Sequence, residues 1–243
     1  MGYVDLHNHM LPGLDDGPSE ISQSLELASG LARLGFELVC CTSHQRYGLF
    51  TPDLDLVRSG VRSLKKTFEV QGIDLDLLPG AENCYDELFW RRAHVNEIPC
   101  YGETKTFLVE FASPPVPPDF GVKLFEWRKQ GYTIVLAHIE RYGIDMKMLD
   151  RFRDLGQMAA LSVNLDTIGG TWGRTYAKWA KRILSEGVVQ VLTTDSHSAS
   201  TLAATERGMT WVDKSMGRSA LESFLVRNPR EVLAGRLPDP VGG

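Results

Sequence analysis

"VDLHNHMLPGLDDG", residues 4–17, runs from an apolar stretch into two histidines one residue apart and then a pair of aspartates. Side chains of a strand alternate with period 2, so His7 and His9 share a face if this stretch is extended. Two imidazoles placed this way suit one metal ion, and they equally suit a solvated strand edge. The stretch acquires meaning only from what recurs downstream.

What recurs is a short β-rich run that ends on polar chemistry. The runs are "YVDLH", "FELVCCTSH", "DLDLLPGAE", "TFLVEF", "YTIVLAH", "AALSVNL" and "VVQVLTTDSH". Helix-like stretches separate them, among them "SEISQSLELASGLARLG", "DLDLVRSGVRSLKKTFEVQ", "GVKLFEWRKQG" and "AKWAKRILSEG". In the first of these, Ile21, Leu25, Leu27, Ala28 and Leu31 fall near one helical face. Gly35, Gly131 and Gly187 stand where a helix should stop before the next strand. Strand then helix, about seven times over, predicts an α/β fold with a parallel sheet flanked by helices. The nearly continuous apolar runs "FLVEF" and "TIVLAH" suit strands buried on both faces. We therefore expect a closed or nearly closed (β/α)7 barrel, residues 1–243 forming one domain, with an open doubly wound sheet as the structural alternative. "SPPVPPD", residues 113–119, reads as a stiff spacer, and "NPREVLAGRLPDPVGG" as a terminal helix whose tail frays.

Composition narrows the function class. The chain has 243 residues, 43% hydrophobic and 23% charged, which is ample material for a core. A formal net charge of -5 argues against a broad nucleic-acid or membrane surface. The start lacks the basic and apolar regions of a secretory signal, and no apolar run approaches the ~20 residues of a membrane span. Cys40, Cys41, Cys84 and Cys100 form neither a C-x-x-C pair nor a disulfide framework. A cytoplasmic enzyme or binding domain is the expectation, with no nucleic-acid partner and no membrane insertion.

The decisive pattern is positional. The ends of the expected strands carry His7 and His9, His44, Glu82, Glu110, His138, Asn164, and finally Asp195 and His197. Only one histidine, His94, lies elsewhere. In α/β barrels and open α/β sheets alike, the carboxyl ends of the strands converge on one face, where sites are assembled. A crowd of imidazoles and carboxylates there would sit unpaired unless something positive lies among them. Mixed nitrogen and oxygen donors suit manganese, iron or zinc, and the set is too large for one tetrahedral ion. Asp15 and Asp16 read either as a turn before the first helix or, through Asp16, as a further ligand over the cleft. Asn164 reads as structural first, with the orienting of water or a ligand as the alternative.

Taken together, "DLHNHMLPGLDDG", "TSHQRYGLF", "LLPGAENCY", "FLVEF", "AHIERY", "TTDSH" and "NPREVLAG" resemble the PHP (polymerase and histidinol phosphatase) superfamily. More narrowly, they resemble the bacterial PHP-type protein-tyrosine phosphatases of capsule and exopolysaccharide export, over essentially the whole chain. The resemblance implies a distorted seven-stranded barrel of the PHP type with three divalent metal ions, manganese first and iron or zinc as alternatives. By the same resemblance His7, His9, Glu82 and Asp195 serve one ion. Glu82 bridges to a second, completed by Glu110 and His138, and Asp16, His44 and His197 hold the third. Arg141 matches an arginine that contacts phosphate. A second phosphate-binding arginine usually follows the last metal histidine closely; here only Arg207 lies in that direction, with Arg46 the other substitute. The implied reaction is hydrolysis of phosphotyrosine by metal-activated hydroxide, on a phosphoprotein such as a bacterial tyrosine kinase.

Three rivals remain at this stage. A histidinol-phosphatase-like enzyme keeps the fold and changes the substrate. A non-catalytic, metal-stabilised PHP binding domain keeps the metals and loses the chemistry. Cys40 and Arg46 have the C-x5-R spacing of cysteine-based phosphatases, but the intervening segment lacks glycine and Cys40 lies in an apolar strand, so we read that spacing as accidental. Oligomeric state is not legible.

Overall fold

A computed structural model describes residues 1–242. The chain alternates β1 (Tyr3–Asn8), α1 (Ile21–Arg33), β2 (Phe36–Cys41), β3 (His44–Gln45), α2 (Leu54–Gln71), β4 (Asp76–Pro79), β5 (Glu82–Cys84) and α3 (Glu87–His94). It continues through β6 (Thr106–Glu110), α4 (Phe120–Lys129), β7 (Thr133–Leu136), α5 (Met146–Gly156), β8 (Ala160–Asn164), α6 (Leu165–Ile168), α7 (Gly173–Ser185) and β9 (Val191–Thr193). Helices α8 (Leu202–Met216), α9 (Arg218–Glu222) and α10 (Asn228–Leu233) complete it. Breaks at residues 42–43 and 80–81 divide the second and third expected strands, so seven sequence runs become nine strands.

All strand pairs are parallel, in the orders β1-β2-β4 and β3-β5-β6-β7-β8-β9. The breaks hand the upper halves of two strands from the smaller sheet to the larger. First and last strands meet where Asp195 N–H donates to the His7 carbonyl (2.8 Å) and His9 N–H to the Ser196 carbonyl (3.1 Å). The result is the distorted α/β barrel expected from the sequence. Asp5 clips the same seam from within: its carboxylate accepts from Thr194 N (3.0 Å), Thr194 Oγ1 (2.6 Å) and Asn8 Nδ2 (3.2 Å).

Period-2 alternation sorts the strand side chains into two apolar layers. Val4, Leu6, Cys40, Leu108, Val135, Ala160 and Val191 form the smaller cluster, closed by Val232 of α10 and by Tyr101, whose hydroxyl donates to the Leu6 carbonyl. The larger cluster packs Val39, Leu77, Phe107, Val109, Ile134, Leu136, Leu161, Val163 and Leu192 against the inward faces of the helices. Each such side chain fully buried contributes about 1.5–3 kcal/mol. β6 and β7 are buried along their whole length, as their unbroken apolar runs require. Gly35, Gly131 and Gly187 adopt left-handed backbone (φ 95°, 85° and 62°) and end the helices before the following strands.

Two expectations are corrected. Ile21 is 46% exposed rather than part of the buried stripe of α1, which consists of Ser24, Leu27, Ala28, Gly30 and Leu31. The capping box of Glu20 and Gln23 starts the helix immediately before Ile21, and residues 21–23 of the first turn are exposed. The tail after α10 is pinned rather than frayed: Asn228 Nδ2 donates to the carbonyls of Gln190 (2.7 Å) and Asp239 (3.3 Å), and Val241 N–H to that of Val189 (2.9 Å). The proline-rich segment does act as a connection between β6 and α4, anchored by buried Val116.

Candidate metal centre

Every strand of the barrel delivers its polar end to the same face. His7 is the last but one residue of β1, with His9 just past the strand; His44 opens β3 and pairs in register with Glu82, which opens β5. Glu110 ends β6, and His138 follows β7 by two residues, as Asp195 follows β9. His138 and Asp195 both have left-handed backbone, φ 33° and 50°, without being glycine. Such strain costs of order 1–3 kcal/mol per residue and persists where the surroundings over-determine it.

The donors fall into overlapping groups: His7, His9, Glu82 and Asp195; His44, Glu82 and Glu110; and His9, Asp16, His44 and His197. In the first, His7 Nε2 lies 3.2 Å from both Glu82 Oε1 and Asp195 Oδ1, and His9 Nε2 lies 3.3 Å from Glu82 Oε2 and Asp195 Oδ1. His138 joins Glu82 Oε1 at 2.9 Å and Glu110 Oε2 at 3.6 Å. Asp16 Oδ1 sits 3.2 Å from His197 Nε2 and 3.4 Å from His44 Nε2. The nine side chains picked from strand ends and the first loop thus meet, with His9 and His44 each facing two groups.

The donor set fits bound cations on its own geometry. Ligand bonds of about 2.0–2.2 Å place neighbouring donors about 3.0–3.5 Å apart, the spacing found here. His44 Nδ1 approaches Glu82 Oε2 to 2.8 Å, yet both atoms are buried without a hydrogen-bond partner, as are His7 Nδ1, His138 Nδ1 and Glu110 Oε1. Lone pairs left unpaired in a buried site carry a desolvation cost that a cation removes.

The electrostatics are those of opposed charges packed closely. Burial alone would raise Glu82, but the charges of His7 and His44 hold it well below the usual carboxylate range. Asp195 is likewise pulled well below its ordinary value, against burial, by His7, His9 and Arg141. Glu110 is pushed up to about 7 by burial and the negative charge of Glu82. Burial and the Arg141 charge lower His138 to about 4, leaving a neutral ring at pH 7.

Around the donors stand residues that orient them. Asp15 was legible only as half of an aspartate pair. Its Oδ2 pairs with His9 Nδ1 (2.9 Å) and accepts from His44 N–H (3.0 Å), while Oδ1 accepts from Gly17 N–H (3.0 Å). Gly17 is required there: a Cβ would lie 2.1 Å from the His9 carbonyl oxygen. Asn164 Nδ2 donates to Asp195 Oδ2 (2.9 Å) and its Oδ1 accepts from Thr193 Oγ1 (2.9 Å), so its side chain orients one of the donor carboxylates. Arg141 Nη2 donates to the same Asp195 oxygen at 2.7 Å, whereas its Nε is buried without an acceptor.

The remaining candidates separate. Arg207 stays exposed on α8, its Nε donating to the Gly169 carbonyl (3.1 Å), and is not brought among the donors. Arg46 heads a tight turn closed by its N–H to the Phe50 carbonyl (2.6 Å). Cys40 is fully buried in the smaller apolar cluster, where burial and Asp5 push its thiol well up, the opposite of what a nucleophilic thiolate needs.

Comparison with known proteins places this arrangement. The chain is 26% identical over 248 residues to the tyrosine-protein phosphatase YwqE of Bacillus subtilis, covering 98% of this chain and 96% of that one. It is 26% identical over 201 residues to the tyrosine-protein phosphatase CpsB of Streptococcus agalactiae, covering 80% and 83%. A crystal structure from work on YwqE of Bacillus subtilis and CpsB of Streptococcus pneumoniae, described as metal-dependent tyrosine phosphatases, superposes with a TM-score of 0.86 at 24% identity, covering 99% of this chain and 100% of that one. The profile of the capsular polysaccharide synthesis family CpsB/CapC matches residues 3–234, and the chain belongs to that family.

Proposed function

We propose that the protein is a metal-dependent phosphatase that hydrolyses phosphotyrosine on a protein. A bacterial tyrosine kinase of polysaccharide export is the partner, and the cytoplasm the site of action. The observation that carries this reading is the convergence of nine donor side chains, several with buried unpaired lone pairs, beside the Arg141 guanidinium. Membership of a family whose relatives are tyrosine-protein phosphatases supports the substrate class. No helix among the described residues is long and apolar enough to cross a membrane.

In this reading His7, His9, Glu82 and Asp195 hold one divalent ion, Glu82, Glu110 and His138 a second, and Asp16, His44 and His197 a third, with manganese the preferred metal. When bound, such ions act as Lewis acids on phosphoryl oxygens and lower the pKa of water towards neutrality. The chain's own residues do the rest. Arg141 presents a permanent positive charge and a planar fork to the phosphoryl oxygens. Asn164 and Arg141 fix the Asp195 carboxylate, and Asp15 fixes the His9 ring. The tyrosine side of the ester leaves as a phenolate, whose pKa near 10 makes it a better leaving group than an alkoxide.

Elemental analysis of the purified protein, paired with phosphotyrosyl-peptide turnover with and without manganese, tests the proposal. Turnover should vanish with chelator and return with manganese. Chelator-resistant turnover, or a strong preference for histidinol phosphate over the peptide, would overturn it. A second prediction concerns Asp15. Asp15→Asn should weaken metal affinity about 10–100-fold, as loss of a partner to a ligating imidazole does, with turnover recovered at higher manganese. Unchanged metal titration would show that packing alone holds His9.

A further inference from the structure

Trp172 has no place in the core. It is 55% exposed, whereas Trp127 and Trp179 are 4% and 6% exposed. It lies in "GGTWGR", residues 169–174, which runs from the end of α6 into the first turn of α7, after β8 and so at the end of the barrel that carries the donor cluster. The segment is tightly turned: Thr171 N–H donates to the Asp166 carbonyl (3.0 Å), Gly173 N–H to that of Gly170 (3.1 Å), and both glycines are left-handed (φ 98° and 86°). This holds the indole against Arg141, whose guanidinium carbon is 4.8 Å from the ring centroid.

We propose that Trp172 is the aromatic wall on which the ring of an aryl phosphate packs, making it a specificity-determining residue of the site. This rests on the phosphatase reading above and deepens it. Two independent observations meet here. Arg141 keeps Nε without an acceptor while Nη2 is committed to Asp195, which leaves an unpartnered donor on the cation beside the indole. Trp172 itself is more than half exposed, so beside that cation the indole keeps surface free for a ligand. In an aryl phosphate one oxygen separates ring from phosphorus, so an anion held by Arg141 carries its ring to the indole. An alkyl phosphate offers no aromatic face, and stacked or edge-on aromatic pairs stabilise beyond the area they bury.

Trp172 also makes a cation–π contact to Arg141, so the test must separate ring recognition from support of the arginine. Calorimetric titration of manganese-loaded protein with benzylphosphonate and with ethylphosphonate does so. Trp172→Ala should reduce the preference for the benzyl over the ethyl compound about tenfold, and Trp172→Phe should restore most of it. Equal weakening of both ligands would mean that Trp172 only supports Arg141, and would overturn the proposal, as would an unaltered ratio. Loss of phosphotyrosine turnover in the wild type with ring discrimination intact would instead defeat the phosphatase reading while leaving the aromatic wall standing.

Discussion

Glu82→Gln is expected to lower phosphotyrosyl-peptide turnover at least about 10³-fold, more than loss of any single orienting hydrogen bond. The reason is its central position. One carboxylate reaches His7 at 3.2 Å, His9 at 3.3 Å, His44 at 2.8 Å and His138 at 2.9 Å, and it belongs to two donor groups. Glutamine keeps the shape but replaces one acceptor oxygen with a donor and removes the charge. The metal-free fold tolerates this better than the charge count suggests. His7 and His44 are raised partly by Glu82, so without it both are freer to shed their protons and avoid becoming unpaired buried cations. Circular dichroism should therefore stay native while metal content per chain falls. Near-normal turnover with only a lowered melting temperature would show that Glu82 stabilises the fold without serving the chemistry; absence of turnover in the metal-loaded wild type would favour the non-catalytic, metal-stabilised reading.

The frame and the donors were legible because both follow from local rules. Alternation and glycine stops located the seven units, and the carboxyl-end rule turned a scattered list of strand-end residues into one face. What escaped notice depends on partners far away in sequence. Asp5 sits in an apolar run, "YVDLH", and a carboxylate there was itself a signal. Its partner Thr194 is 189 residues distant, and nothing local identifies it. Asp15 and Asp16 are neighbours of one type. The turn at Gly17, closed against the His9 carbonyl, decides that one orients an imidazole and the other faces His44 and His197. The pinned tail follows the same logic, since the Val189 and Gln190 carbonyls that capture it are exposed only once the barrel exists.

Arg141→Ala should lower kcat/KM for a phosphotyrosyl peptide about 10²–10³-fold, the usual loss when one donor that stabilises developing charge is removed. Arg141 lies in the 3-10 turn Ile139–Arg141 directly after His138, whose left-handed backbone redirects the chain across the site. Burial disfavours its charge, but Asp195, Glu140 and Glu82 more than compensate, so it stays protonated at every working pH. Two functions could be lost together, contact with phosphate and support of Asp195. They are separable because Asn164 Nδ2 still holds the same Asp195 oxygen at 2.9 Å. Metal content in Arg141→Ala should then remain near wild type while inhibition by inorganic phosphate weakens in parallel with kcat/KM. Arg141→Lys should recover only part of the loss, since an ammonium restores the charge without the fork that reaches two oxygens together. If metal content falls as steeply as turnover, Arg141 acts through Asp195 and not through the substrate. If neither changes, the phosphate is held elsewhere.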